Sequence, residues 1–421
     1  MTRAAQRAKV DEASSGSLSL RIPQPTCRPG DVPDFAALNL LGAGETRRPE
    51  VTDSADAITD LATGLIRVLN VDCEAVGPWR PAIEVSQLLA GLRHMMLTRE
   101  LDRLMLTAQR QGKTSFYMQC TGEEAIACAF RAALRGGDMN FPTYRQQALL
   151  VAGGYPLELM ISQVYSNTLD PLHGRQMPVF YSSREYGFFS ISGNLATQYV
   201  QAVGWAMASA IKGETAVTAA WIGDGATAES DFHAAMVMAS TYNPPVILNI
   251  VNNQWAISTN QVLARGKAAT FASRGQGFGL PALRVDGNDF LAVYAAAQWA
   301  IERARLNLGP TLIEWVTYRA AAHSSSDDPS SYRPKDEASA WPLGDPIERL
   351  KGHLIGGGSW SVAEHRALEL EVGEVLAAAQ KKAESYGTLG SGSSPSPREI
   401  FEDVYRDMPE HLRRQRDEAG F

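Results

Sequence analysis

The sequence predicts an α/β chain: a parallel sheet flanked by helices (85–345), with an extended N-terminal arm (1–84) and a helical C-terminal region (346–421). Three observations predict it. From about residue 115 to 320, short apolar runs alternate with helix-patterned segments, which is the pattern of a parallel sheet with crossover helices. One of these units, 215–259, reads as strand, tight turn, helix, strand. A chain of 421 residues with 45% hydrophobic and 20% charged residues is large enough for one sizeable domain or two modest ones.

Residues 1–80 are rich in Pro, Gly and polar residues, as in RIPQPTCRPGDVPDF, and show little periodicity. They read as an arm lying on something else, with one short helix near 57–69. The start, MTRAAQRAKVDEASSG, has no apolar core and so is no secretory signal; Asp11 and Glu12 break its likeness to a mitochondrial presequence. A disordered arm on a cytoplasmic (bacterial) protein is expected, with the mitochondrial matrix as the alternative.

Helical patterning begins near Val85 and runs through LLAGLRHMMLTRELDRLMLTAQRQG to Gly112. ATQYVQAVGWAMASAIKG reads as a helix rich in small residues that ends at Gly213, and TAVTAAWI as a strand. ALRVDG, NDFLAVYAAAQWAIERARLNLG and PTLIEWVTYR form another strand–helix–strand unit. After Asp345 the chain turns helical, with SVAE at 361–364 as a capping box for a helix reaching about Tyr386. TLGSGSSPSP reads as a flexible linker to a last charged segment.

The net charge of −7 gives no basic footprint for nucleic acid, and no apolar run is long enough to span a membrane. Cys27, Cys73, Cys120 and Cys128 form no CxxC pair, which argues against a zinc site or a disulfide framework and for a reducing compartment.

The stretch WIGDGATAES, 221–230, poses the chemical question. Its Asp224 stands between two glycines at a turn of the kind that often holds phosphate, where a carboxylate should repel an anion. The strand before it ends at Ile222, a helix is expected to begin near Ala226, and the next strand, VILNIV, ends at Asn252 and Asn253. Such a crossover makes the strands parallel, so Asp224 and Asn253 share the carboxyl edge of the sheet, where open α/β sheets bind ligands. Their oxygens suit Mg2+, and helix N–H groups at the same point suit an anion. A diphosphate bridged to Mg2+ removes the repulsion. The turn alone, GDG, is common. GDGATA also fits the looser dinucleotide fingerprint GxGxxA, but asparagine stands where that fold expects an acid, and Asp224 would then face a pyrophosphate without a metal. No P-loop pattern occurs.

GDG, the intervening stretch 226–251 and NN together resemble the thiamine diphosphate motif. FYMQCTGEEA, FPTYRQQ, GRQMP, ISGNLATQYVQAVGWA, NNQWAIST, RVDGND and YRAAAHSSSDDPSSYR follow in matching order. Across about 20–418 the chain resembles the alpha subunit of the branched-chain 2-oxo acid dehydrogenase first component. The resemblance implies the thiamine diphosphate-binding fold, with thiamine diphosphate and Mg2+ as cofactors. It assigns Mg2+ to Asp224, Asn253 and the backbone carbonyl of Trp255. Gly225 and Ala226 would offer N–H groups, Tyr144 and Arg145 would hold the diphosphate, and Gly193 and Leu195 would touch the aminopyrimidine through their backbone. Ser192, Asn194, Thr197 and Gln198 resemble a monovalent-cation (K+) site. His323 matches the histidine near the diphosphate and the reacting centre, and is the expected catalytic residue.

Two departures stand out. Val251 occupies a position where animal relatives carry an arginine, and Gly193-Asn194 replaces a Ser-Pro pair. His323 follows a strand, and a histidine titrating near neutrality could pass protons; a solvated loop histidine is the plain alternative. The loop 323–333 reads either as flexible or as ordering with the cofactor, and control through Ser324 is not predicted.

The resemblance further implies decarboxylation of a small branched 2-oxo acid and acyl transfer to a lipoyl-bearing acyltransferase core. No activating glutamate can be placed in this chain. The expected partner is therefore a beta subunit that supplies it within an α2β2 heterotetramer. A pyruvate dehydrogenase alpha subunit, or a non-catalytic assembly subunit of the same fold, stay open as alternatives.

Overall fold

Five strands form the central sheet: β1 (Met139–Phe141), β2 (Thr218–Gly223), β3 (Val246–Asn252), β6 (Ala282–Asp286) and β7 (Thr311–Val316). A two-stranded hairpin, β4 (Trp255–Ala256) and β5 (Thr259–Asn260), follows β3 directly. The computed structural model describes residue 20, residues 23–392 and residues 395–421. Of the arm expected to be disordered, residues 1–19, 21 and 22 lie outside the described residues, as do residues 393 and 394 of the expected linker; the arm's later part is ordered, with Leu61, Leu65 and Leu69 fully buried.

The sheet is parallel throughout, in the order β1-β2-β3-β7-β6. Because successive side chains point to opposite faces, each strand feeds two cores. Ala219, Trp221, Ile247, Val251, Ile313 and Trp315 pack on one face under the helices Val85–Arg110, Glu124–Ala133 and Phe290–Arg305. Ala220, Ile222, Leu248, Ile250 and Leu312 pack on the other, under Thr197–Ile211 and Ser230–Tyr242. Sheets covered on both faces need strands with almost no exposed position, and β3 and β7 are buried throughout. Polar residues also sit inside, among them Asn249, whose amide donates to the Ala220 carbonyl at 3.0 Å and accepts from the Trp315 indole at 2.9 Å.

Two expected elements differ. The segment 57–69 is not one helix. Asp56–Ala62 is 3-10, interrupted at Ile58, and the chain then runs extended, with Ile66 bridging Val285 in parallel beside β6. Ile66 N–H donates to the Arg284 carbonyl, and the Ile66 carbonyl accepts from Asp286 N–H, both at 2.9 Å. Leu65, Ile66, Val68 and Leu69 are fully buried there, so covering an open sheet edge outweighs local helical preference. The second difference is the helix expected from Ala226. Gly225–Ala228 is a 3-10 turn, Glu229 is extended, and the α-helix starts at Ser230.

Two of the C-terminal helices begin at side-chain caps. Asp345 accepts from the N–H groups of Ile347 and Glu348 ahead of Pro346–Gly356, and Ser361 accepts from Glu364 N–H ahead of Val362–Glu384. The described part of the linker is tied down at Leu389, whose N–H donates to the Lys113 carbonyl. A 3-10 turn, Pro397–Phe401, and the helix Glu410–Glu418 form the charged tail.

Candidate cofactor and metal site

The carboxyl ends of β2, β3 and β7 converge on a cavity of about 390 Å3. Asp224 is the first residue past β2, and its N–H extends the parallel pairing to the Val251 carbonyl. Only 2% of it is exposed. One carboxyl oxygen accepts from Gly225 N–H at 2.8 Å, while Oδ2 is buried with no partner among the described residues. Burial, reinforced by nearby Glu123 and Glu314, pushes this carboxyl up to about 7, against the opposing Gly225 N–H and Arg319. Gly225 is required by space: a Cβ there would stand 2.4 Å from that of Ala256 in the hairpin.

Asn252 and Asn253 diverge, as adjacent residues leaving a strand must. Asn252 turns away from the cavity to Glu314 and Gln261. Asn253 lines the cavity; its Nδ2 donates to Glu123 Oε1 at 2.8 Å, and its Oδ1 meets only Trp255 N–H at 3.4 Å. The Trp255 carbonyl accepts from Arg319 Nη1 at 2.7 Å, which leaves it one lone pair.

Opposite these oxygens stands a cationic wall. Arg145, buried in the loop after β1, donates through Nη2 to the His323 carbonyl at 2.6 Å and meets His323 Nδ1 at 2.9 Å. Tyr144 stacks on Phe180 and meets the His323 ring edge-on. Arg319 Nη1 lies 3.5 Å from His323 Nδ1. Burial and these two guanidiniums pull His323 down to about 3. The ring is therefore neutral near pH 7, contrary to the expectation of a histidine titrating there. With Nδ1 accepting, its proton sits on Nε2.

The loop 323–333 is fastened by hydrogen bonds within the protein. His323 N–H donates to Asp327, Tyr332 bridges Arg319 and Asp327, and Arg333 donates to the carbonyls of residues 319, 320 and 321.

The remaining residues singled out in the sequence lie on the loop before the helix Thr197–Ile211 and on its first turn. Ser192, Asn194, Leu195 and Gln198 line the same cavity, as does Ala226; Gly193 and Thr197 do not. Ser192 Oγ accepts from Asn194 N–H, and Thr197 Oγ1 donates to the Asn194 carbonyl. Gln198 Nε2 donates to the Trp221 carbonyl, and its buried Oε1 has no partner among the described residues.

The model of the dehydrogenase E1 component family matches residues 92–391, most of the chain. The chain belongs to the dehydrogenase E1 component family. A second model, the N-terminal part of the 2-oxoisovalerate dehydrogenase E1 alpha subunit, matches residues 16–56. The 2-oxoisovalerate dehydrogenase subunit alpha of Pseudomonas aeruginosa is 62% identical over 403 residues, covering 96% of this chain and 98% of the relative. The mitochondrial subunit alpha of Mus musculus is 39% identical, covering 84% of this chain and 79% of the relative. That of Arabidopsis thaliana, subunit alpha 1, is 37% identical over 83% of this chain and 73% of the relative.

Membership in the E1 family implies thiamine diphosphate, and the residues present fit it together with a divalent cation. The unanswered Asp224 oxygen, the Asn253 and Trp255 carbonyl oxygens and the tight turn at Gly225 form an all-oxygen set facing Arg145. The residue that motif reading missed in this E1 chain is Glu123, which lines the cavity while only 3% exposed. Burial pushes its carboxyl up to about 7, against Arg145, the Asn253 hydrogen bond and Arg319. The available signal was the acidic pair in TGEEA, at the very start of a helix whose residues 124–130 are all buried.

Proposed function

We propose that this chain is the alpha subunit of a branched-chain 2-oxo acid dehydrogenase, oxidatively decarboxylating substrates such as 2-oxoisovalerate and passing the acyl group to a lipoyl-bearing acyltransferase core. The observation that carries the reading is that one cavity pairs an oxygen wall, the unsatisfied Asp224 carboxyl with the Asn253 amide oxygen, with the Arg145 guanidinium and the neutral His323 ring it holds. When bound, thiamine diphosphate supplies the electron sink that lets a 2-oxo acid lose carbon dioxide. Asp224, Asn253 and the Trp255 carbonyl would hold Mg2+, and Arg145 and Tyr144 the diphosphate. His323, oriented through Nδ1 by Arg145, presents an Nε2–H donor toward reacting oxygens. Ser192 and Asn194, on the loop, with Thr197 and Gln198, on the first turn of the helix after it, are proposed to take K+.

A beta subunit completes the site in an α2β2 assembly and brings the activating carboxyl group. Exposed apolar side chains at the cavity, Leu195, Ile257 and Leu263, support such a docked partner. Four free cysteines accord with a reducing compartment such as a bacterial cytoplasm, and no helix among the described residues is long and apolar enough to cross a membrane.

The test is dye reduction by the native complex captured with a tagged copy of this chain. Substrates are pyruvate, 2-oxobutanoate and the three branched-chain 2-oxo acids, with and without thiamine diphosphate and Mg2+. Activity needing both cofactors and favouring branched acids is expected. Preference for pyruvate would overturn the substrate class, and inactivity with a beta subunit present would overturn the catalytic role.

A further inference from the structure

We propose that Glu123 is a positioning residue that decides which end of the Asn253 side chain faces the cavity, and thereby sets the divalent-cation affinity of the site; this rests on the cation site proposed above. An asparagine amide can present either an oxygen or an NH2 group, and only the oxygen can ligate a cation. Among the described residues, Glu123 Oε1 is the hydrogen-bond acceptor for Asn253 Nδ2, at 2.8 Å. Oε1, as the acceptor, captures the NH2 end and leaves Oδ1 with nothing closer than Trp255 N–H at 3.4 Å. Without Glu123, only the long contact from Trp255 N–H to Oδ1 would favour this orientation among the described residues.

The backbone makes Glu123 a firm support. Gly122, just before it, has φ +98°, and a Cβ there would lie 2.4 Å from the Tyr318 carbonyl beyond β7. The Gly122 carbonyl accepts from Thr317 Oγ1 and Asn288 Nδ2, and Glu123 N–H donates to the Cys120 carbonyl. The turn is thus tied to the strand end next to β3, where Asn253 emerges. The neighbouring Glu124 faces elsewhere, onto Arg99 and Gly122 N–H. Glu123 also keeps a second oxygen, Oε2, buried and without a partner among the described residues. Such an oxygen on a cavity wall can accept from a water held by the cation.

The experiment is a Mn2+ titration followed by electron paramagnetic resonance, at saturating thiamine diphosphate, on the assembled α2β2 complex carrying wild-type, Glu123→Ala or Glu123→Gln alpha chains. Melting temperatures are recorded alongside. Glu123→Ala is expected to weaken Mn2+ binding by ~10–100-fold, the usual cost of losing an outer partner of a metal ligand. Glu123→Gln keeps an acceptor oxygen for Asn253 and is expected to recover most of that loss. Equal loss in both variants would assign the effect to charge and overturn the positioning role. A lower melting temperature with Mn2+ affinity intact would also overturn it, by showing a structural role alone. If the alanine variant does not assemble, a tenfold or greater loss in Glu123→Gln overturns the proposal by itself. A wild-type complex that binds no Mn2+ would instead sink the cation site and this inference with it.

Discussion

Asp286 and Asp289, at and just past the end of β6, form one pair of buried carboxylates; Asp224, just past β2, and Glu123, ahead of the helix Glu124–Ala133, form another, and their oxygens are treated differently. Asp286 accepts from Arg67, Arg349 and Asn288 N–H, and Asp289 from the N–H groups of Val68, Leu69, Leu291 and Ala292. Every oxygen of that pair has a partner. In the other pair, Asp224 Oδ2 and Glu123 Oε2 have none among the described residues. Burial alone therefore does not mark a functional acid here. A carboxylate whose oxygens are all answered joins elements together, whereas one left with an unanswered oxygen is poised for something that binds.

The strongest way to break this comparison is to remove the satisfied acid. Asp289→Ala strands four backbone N–H groups and takes a partner from Arg349, so a loss of about 3–5 kcal/mol in unfolding free energy is expected. Urea unfolding of the complex measures it, and a change within error would show that the β6 pair is not structural. Asp224→Ala should behave oppositely. Mg2+-dependent thiamine diphosphate binding, read by calorimetry, should weaken by at least ~100-fold, because a direct ligand should matter more than its outer partners. The melting temperature without cofactor should hold or rise, since an unanswered buried carboxylate has been removed. Unchanged cofactor affinity would sink the metal assignment.

The smallest effect concerns His323. Its folded value of about 3 lies below the usual 6.5, so the unfolded chain takes up a proton first as pH falls. Its contribution to stability is present above about pH 6.5 and is lost progressively toward about pH 3. Nitrogen-15 spectra of histidine-labelled complex without cofactor should show one neutral Nε2–H ring between about pH 5 and 8. A ring titrating near 6.5 would show that Arg145 and Arg319 do not govern it.

The strand–helix–strand unit around GDG and NN was legible because its apolar runs and breakers are local, and the parallel pairing of β2 with β3 follows from the crossover. The extended stretch beside β6 was not legible as such, because its partner Val285 lies more than two hundred residues away and only the finished edge rewards extension. The start of the helix after Asp224 was misplaced for a related reason: small residues such as Ala226 and Ala228 permit helix, but the fit of Gly225 against Ala256 depends on a later hairpin. The charge state of His323 comes from its burial in the finished cavity and then from Arg145, far earlier in the chain, and Arg319. Glu123 was hidden because GEEA shows two carboxylates without showing which faces β3.

The buried Asn249 has a consequence for assembly fidelity. Its amide spans three strands, reaching the Ala220 carbonyl on β2 and the Trp315 indole on β7. Sliding β3 by one residue would send that amide to the opposite core and leave an indole N–H and a carboxamide dehydrated and unmatched, each costing ~1–3 kcal/mol. An offset sheet would be discriminated against during folding, before any ligand is present. The level at which Asp224 and Asn253 face each other is thus proofread several residues upstream, by an amide that never meets the cavity.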